Sequence, residues 1–149
     1  MKKVAVLMGS ANDKQKMAPA VETLQSFGVD VTEHVMSAHR TPAKVAAFAS
    51  SARDEGYAVI ICGAGMAAHL AGAVSAQTTL PVIGVPLSGG AIGGIDALYA
   101  TVQMPRGIPV ATVAVDGALN AGLLAVEILA VTDDGLAKRL ADYRSEWSK

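Results

Sequence analysis

The chain has 149 residues, 52% of them hydrophobic but only 4% aromatic, with one cysteine and a formal net charge of −1. Its 28 alanines, 15 glycines and modest 17% of charged residues exclude a disordered chain, which requires low hydrophobicity and high net charge; the single cysteine, Cys62, excludes a disulfide scaffold. A near-neutral balance argues against a bulk nucleic-acid binder, and the length suits one domain over 1–149.

Short β-branched runs alternate with Ala-rich helical stretches, the pattern of βαβ units. The chain opens Met1-Lys2-Lys3 and then VAVLM. That apolar run is too short for an export signal, which needs roughly 7–15 residues. It reads instead as a first strand, Lys3 to Met8, ending at Gly9-Ser10. A helix follows from about Asp13 to Phe27, closed by Gly28, with Pro19 expected to kink it or delay its start. The second strand spans about Val29 to Met36. Thr41 as N-cap and Pro42 at the first helical position open a second helix, expected to reach Glu55 and stop at Gly56.

Tyr57 to Cys62 is a continuous apolar run and predicts a strand buried on both faces. GAGMAAHLAG leads into a small-residue helix ending near Gln77. Pro81 introduces a fourth strand, Val82 to Val85. The next helix is expected around Ile92 to Val102, and Met104 to Pro109 is a connection. Val110 to Val115 predicts the fifth strand, Leu119 to Val131 a helix, and Asp134 to Trp147 a last amphipathic helix with Leu136, Leu140 and Tyr143 on one face. No stretch reaches the roughly 20 apolar residues of a membrane helix, so the expectation is a cytoplasmic protein with no membrane partner.

Five strands with intervening helices predict a three-layer α/β fold, a doubly wound parallel five-stranded sheet in the order 2-1-3-4-5, with an additional C-terminal helix. In such sheets ligands bind beyond the carboxyl ends of the strands, where the winding reverses. That rule singles out Gly9 to Asp13, Ser37 to Pro42, and Gly63 to Leu70. In the first, Ser10 and Asn12 stand at a helix N-terminus suited to anions, while the Asp13 carboxylate suits sugar hydroxyls better than phosphate. Plain helix capping accounts for the same residues equally well. In the second, Arg40 can grip a phosphate through two hydrogen bonds, and His39 can give and take a proton near neutrality. In the third, small residues leave room for a flat ligand, and His69 is either a substrate-facing group or a capping histidine. The spacing of a dinucleotide fingerprint or a Walker loop is missing. His34 reads as structural, Cys62 as inert core, Arg106 as a surface charge in a turn, and Met8, Met36 and Met66 as packing around a pocket rim. The three histidines lack metal-ligand spacing, so no metal is expected.

VLMGSANDKQKM, VMSAHRTP, GAGMAAHL, LPVIGVPL and YATVQMPRGIPVATVAV, taken in this order, resemble the class I PurE family, the N5-carboxyaminoimidazole ribonucleotide mutases of purine biosynthesis. The likeness runs from Val4 to about Leu129. It implies a flavodoxin-like fold and a homo-octamer. The implied substrate is an imidazole ribonucleotide carrying a carbamate on its exocyclic amine, with no cofactor. By the same resemblance Ser10 and Arg40 would hold the 5′-phosphate with Ser37, and Asp13 the ribose hydroxyls. Ala38, Ala64, Gly65, His69 and Leu70 would line the slot for the ring, and His39 would carry the proton. Asn12 stands where the family usually has Ser and Met66 where it usually has Gly. Class II relatives, which carboxylate the aminoimidazole with free carbon dioxide, are the second reading; they carry Lys in place of Arg40 and lack the AAHL run. A non-catalytic nucleotide-binding module is the third.

Overall fold

The computed structural model describes residues 3–148; Met1, Lys2 and Lys149, the ends of the expected 1–149 unit, lie outside the described residues. Five strands form one sheet: β1 (Lys3–Met8), β2 (Asp30–Val35), β3 (Tyr57–Gly65), β4 (Val82–Leu87) and β5 (Ala111–Thr112), in the order β2-β1-β3-β4-β5. Every pairing is parallel, as the βαβ pattern requires. Six α-helices intervene or follow: α1 (Lys14–Ser26), α2 (Pro42–Ser51), α3 (Leu70–Ser75), α4 (Ile95–Val102), α5 (Ala118–Ala130) and α6 (Asp134–Ser145).

Alternation along the strands divides the core in two. Val4, Val6, Met8, Ile61, Ile83 and Val85 face α1, α5 and α6. Ala5, Leu7, Ile60, Cys62 and Val82 face α2 and α3. Both faces of the central strands are therefore covered, which is why they read as continuous apolar runs. Alanine permits the close approach: Ala118, Ala121 and Ala125 on α5 are fully buried. The end of α1 is set by Gly28, whose φ of +69° suits glycine. Gly28 N–H bonds to Gln25 C=O at 2.9 Å and Val29 N–H to Leu24 C=O at 3.0 Å, the paired closure of a Schellman motif.

Several boundaries differ from the sequence reading. The helix α1 runs unbroken through Pro19 after a 3-10 turn over Ala11–Asp13. The helix α2 stops at Ser51, and Thr41 makes no side-chain cap; its hydroxyl instead accepts the Ser37 N–H at 2.9 Å and donates to the Ser37 carbonyl at 3.1 Å. Strand β3 extends to Gly65, so the first three residues of the expected loop, Gly63, Ala64 and Gly65, are paired with β4. The helix α4 begins at Ile95 rather than Ile92. Strand β5 keeps only two residues, Ala111 and Thr112, paired with Ile83 and Gly84 of β4. The chain still tracks β4 beyond it, through Val113 N–H to Gly84 C=O at 3.1 Å and Asp116 N–H to Pro86 C=O at 2.8 Å. Met8 and Met36 are core residues, 1% and 3% exposed, since Met8 at the end of β1 and Met36 just after β2 point into opposite layers; only Met66 reaches a rim.

Candidate active site

The register places the carboxyl ends of four strands along one edge. Met8 pairs with Val35 and with Gly63, Gly63 with Val85, and Gly65 with Leu87. The loops that follow enclose a cleft of about 450 Å³, within the usual range for small-molecule sites. Ser10, Asn12 and Asp13 reach it from the β1 loop, and Ser37, Ala38, His39 and Arg40 from the β2 loop. Ala64, Gly65, His69 and Leu70 come from β3 and its loop. All eleven residues singled out from the sequence thus line one cavity.

Each loop is organised by its own short-range bonds. Ser10 Oγ accepts the Asn12 N–H at 3.2 Å, so the capping reading of Ser10 holds alongside its place in the cleft. Asp13 makes no side-chain cap, leaving its carboxylate for a ligand. Burial raises its pKa above the ordinary carboxylate value, opposed by the nearby Lys16 charge and the Ser10 backbone. In the second loop the Arg40 N–H donates to Ser37 Oγ at 3.1 Å and the Thr41 N–H to the Ser37 carbonyl at 2.9 Å. Together with the Thr41 hydroxyl, these bonds close a tight turn that projects His39 and Arg40, both exposed. Among the described residues Arg40 has no ion-pair partner, so its guanidinium is available to an anion.

The two histidines of the cleft meet. His39 Nε2 lies 2.8 Å from His69 Nδ1, with the rings at 78° to one another. At that distance one nitrogen donates and the other accepts, so a single hydrogen sits between the rings. Beneath them Leu70 is buried, and at Gly65 a Cβ would stand 3.3 Å from the Leu87 carbonyl, which makes glycine the natural residue at the floor.

Sequence reasoning missed a wall of this cleft. Ser88, Gly89 and Gly90, at the carboxyl end of β4, line it too. The SGG run after an apolar strand was the available signal, but the switch-point rule directs attention to the first three strands. Met66, with φ at +50° and 59% exposed, lies at the mouth; a Cβ on Gly90 would touch its Cγ and Sδ at 3.2 Å. The residues read as bland lie outside the cleft. His34 contacts the Thr32 hydroxyl at 3.0 Å on β2, Arg106 is exposed in a turn, and Cys62 is 1% exposed with its thiol pKa pushed far up by burial. Among the described residues no group of three or more His, Cys, Asp or Glu side chains is placed to hold a metal ion, and no helix is long and apolar enough to cross a membrane.

A flavodoxin-like α/β protein is defined by this sheet, with a cleft at the switch point that joins an anion-ready arginine, a carboxylate and a pair of imidazoles. The family model for AIR carboxylase matches residues 3–149, and the chain belongs to that family. It is 54% identical over 137 residues to the N5-carboxyaminoimidazole ribonucleotide mutase of Aquifex aeolicus, covering 92% of this chain and 82% of that protein. It is 51% identical over 144 residues to the mutase of Escherichia coli K12, covering 95% and 85%. A chloroplastic phosphoribosylaminoimidazole carboxylase of Vigna aconitifolia is 51% identical over 140 residues, 94% of this chain but only 25% of the plant protein. The crystal structure of Treponema denticola PurE superposes with a TM-score of 0.91 at 27% identity, covering 99% of this chain and 92% of that one.

Proposed function

We propose that this chain is a 5-(carboxyamino)imidazole ribonucleotide mutase, an intramolecular transferase of purine biosynthesis. The observation that carries the reading is the convergence of His39, Arg40 and Asp13 from separate loops on one nucleotide-sized cleft, in a chain about half identical to mutases over most of its length. Arg40 and Ser10 hold the 5′-phosphate with Ser37 and Asn12, and Asp13 accepts hydrogen bonds from the ribose hydroxyls. Ala38, Ala64, Gly65, His69 and Leu70 enclose the imidazole and its carboxylate.

The chemistry follows from one imidazole working twice. The carbamate C–N bond breaks, its electron pair stays on nitrogen, and carbon dioxide is released. Protonated His39 gives that nitrogen a proton. Ring carbon four then adds the trapped carbon dioxide, forming the C–C bond, and its own proton returns to His39. No net proton is exchanged with water, and a positioned acid–base group contributes on the order of 10²–10⁴-fold. The cleft confines the carbon dioxide beside its acceptor, replacing a bimolecular encounter by an intramolecular one. Incubating the carbamate nucleotide with the protein and identifying the product by carbon-13 NMR tests the reading. Label appearing on ring carbon four supports it; release of carbon dioxide with no carbon-four product refutes it.

The likeness to the plant carboxylase favours one second reading, direct carboxylation of the aminoimidazole ribonucleotide by free carbon dioxide. Turnover of the unmodified nucleotide with bicarbonate, compared with turnover of the carbamate, separates the two. The proposal extends to a cytoplasmic homo-oligomer, an octamer, with a small-molecule substrate, no cofactor, and neither nucleic acid nor membrane as partner. Ile92, Ile95, Tyr99 and Val102 support self-association: they recur at helical spacing along and just before α4, each at least 45% exposed, an arrangement more typical of a contact surface than of a lone monomer. Sedimentation equilibrium tests the assembly.

A further inference from the structure

Three charged or polar groups from distant parts of the chain meet behind the glycine wall of the cleft. Lys16, in the first turn of α1, donates from Nζ to the Ser88 carbonyl and lies 3.3 Å from the Ser88 hydroxyl. Asp116, in the turn after β5, takes the Ser88 N–H on Oδ1 at 2.9 Å and the Ser88 hydroxyl on Oδ2. Ser88 therefore has its N–H, carbonyl and hydroxyl all engaged. It is an anchor rather than a ligand donor, and the glycines after it present the wall.

That segment needs an anchor. Gly89, Gly90, Gly93 and Gly94 have φ of +149°, +64°, +65° and +99°, and glycine runs of this kind lose more conformational freedom on ordering than any other sequence. Asp116 itself sits at φ +57°, a left-handed conformation that costs an ordinary side chain energy and that Asp tolerates through local hydrogen bonds. A strained residue kept with its carboxylate fully committed to one loop residue points to a positioning role. Burial alone would raise the Asp116 pKa, but the two Ser88 bonds and the Lys16 charge outweigh it and hold the carboxyl below its ordinary value, so the anion persists at neutral pH.

We propose that Lys16 and Asp116 are positioning residues: clamped on Ser88 from two sides, they hold Ser88-Gly89-Gly90 as a fixed wall of the cleft and thereby set its affinity for the nucleotide. The inference rests on the proposed mutase reading for its kinetic test. Lys16 and Asp116 do not themselves line the cleft that holds the two histidines, so the clamp supports bound substrate and transition state alike. Its loss raises KM and leaves kcat nearly unchanged.

Asp116→Gly is the discriminating variant, because glycine relieves the left-handed backbone while removing the carboxylate. Lys16→Met is a less clean probe, since Lys16 also bears on Asp13, and Lys16→Arg is its conservative rescue. For the full chain acting on the carbamate nucleotide, Asp116→Gly is expected to raise KM about three- to ten-fold, the scale of losing one ordinary hydrogen bond. The expected kcat stays within about two-fold, and the protein stays folded with a urea midpoint at or somewhat below that of wild type, because the relieved backbone offsets only part of the lost Ser88 bonds. Hydrogen exchange at Ser88–Gly90 is expected to quicken in Asp116→Gly. Lys16→Met raises KM, Lys16→Arg restores it, and the double variant Lys16→Met/Asp116→Gly is less impaired than the product of the singles, because both act through Ser88. A wild-type KM in Asp116→Gly, or unchanged exchange at Ser88–Gly90, overturns the clamp. If wild-type protein fails to convert the nucleotide, the mutase reading falls instead, and the exchange comparison still decides the clamp.

Discussion

Gly84, in the middle of β4, is held small by a helix pressed against the sheet, and Gly84→Ala tests that packing directly. A Cβ there would lie 2.4 Å from Thr101 Cγ2, 3.0 Å from Val110 Cγ1 and 3.3 Å from Ala71 Cβ. Comfortable carbon contacts fall at about 3.5–4.0 Å, so Thr101 would have to yield by more than about 1 Å. It has little freedom to do so. Thr101 is 3% exposed, stiff at χ1 as a β-branched residue, and its hydroxyl donates to the Ala97 carbonyl at 2.7 Å. Overpacking of this kind costs about 1–3 kcal/mol, offset by about 0.5–1 kcal/mol from replacing a strand glycine with alanine. A contact as short as 2.4 Å puts the cost in the upper half of that range, so the expected net loss is about 1–2.5 kcal/mol, read from urea unfolding at fixed protein concentration. Thr101→Ser keeps the hydroxyl and deletes the offending methyl. Alone it costs about 1 kcal/mol for the lost apolar group, but in the Gly84→Ala background it restores stability. A Gly84→Ala midpoint equal to wild type, or a Thr101→Ser loss that simply adds to it, refutes the packing argument.

The other expectations concern the cleft and its floor. Because burial raises the Asp13 pKa, its ionised form opposes folding at pH above the raised folded value, and that cost fades as pH falls through it toward the ordinary 3.8. Asp13→Asn is therefore expected to be at least as stable as wild type at neutral pH, with the difference closing in acid, while nucleotide affinity falls; thermal melts against pH and binding titrations check both. Met66→Gly removes a side chain from φ +50° and is expected to match or exceed wild-type stability by up to about 1 kcal/mol after the entropy of glycine is counted; a clear loss in urea unfolding contradicts this. Cys62, buried with a raised thiol pKa, is expected to react with an aromatic disulfide reagent only after denaturant is added.

The strand order and the three site loops were legible because parallel βαβ units leave few alternatives. Apolar runs bounded by glycine marked the strands, the intervening helices made a doubly wound parallel sheet the simplest arrangement, and the switch-point rule named the edge. Ser10, Asp13, His39 and His69 stand out there as chemically able residues on loops that must converge. What stayed hidden depends on contacts across the chain. The Lys16–Ser88 and Ser88–Asp116 bonds span 72 and 28 positions, and no local pattern announces them. The His39–His69 contact spans 30; the topology brings the loops together without saying that the rings touch. Strand β5 was overestimated because Val110–Val115 has strand composition, yet its regular pairing with β4 ends at Thr112 and only the Val113 and Asp116 N–H groups bond to β4 beyond it. Thr41 shows a different failure. A Thr-Pro start signals a cap, but the hydroxyl found the Ser37 backbone within the preceding turn, a competition that Thr side chains often enter.

The central claim is that His39 moves the proton while other groups hold the nucleotide. His39→Asn preserves size and polarity but cannot carry a proton near neutral pH. Calorimetric titration with the nucleotide product, run beside turnover of the carbamate substrate, is expected to give a Kd within about ten-fold of wild type and turnover lower by at least about 10²-fold. Near-normal turnover in His39→Asn would contradict the account.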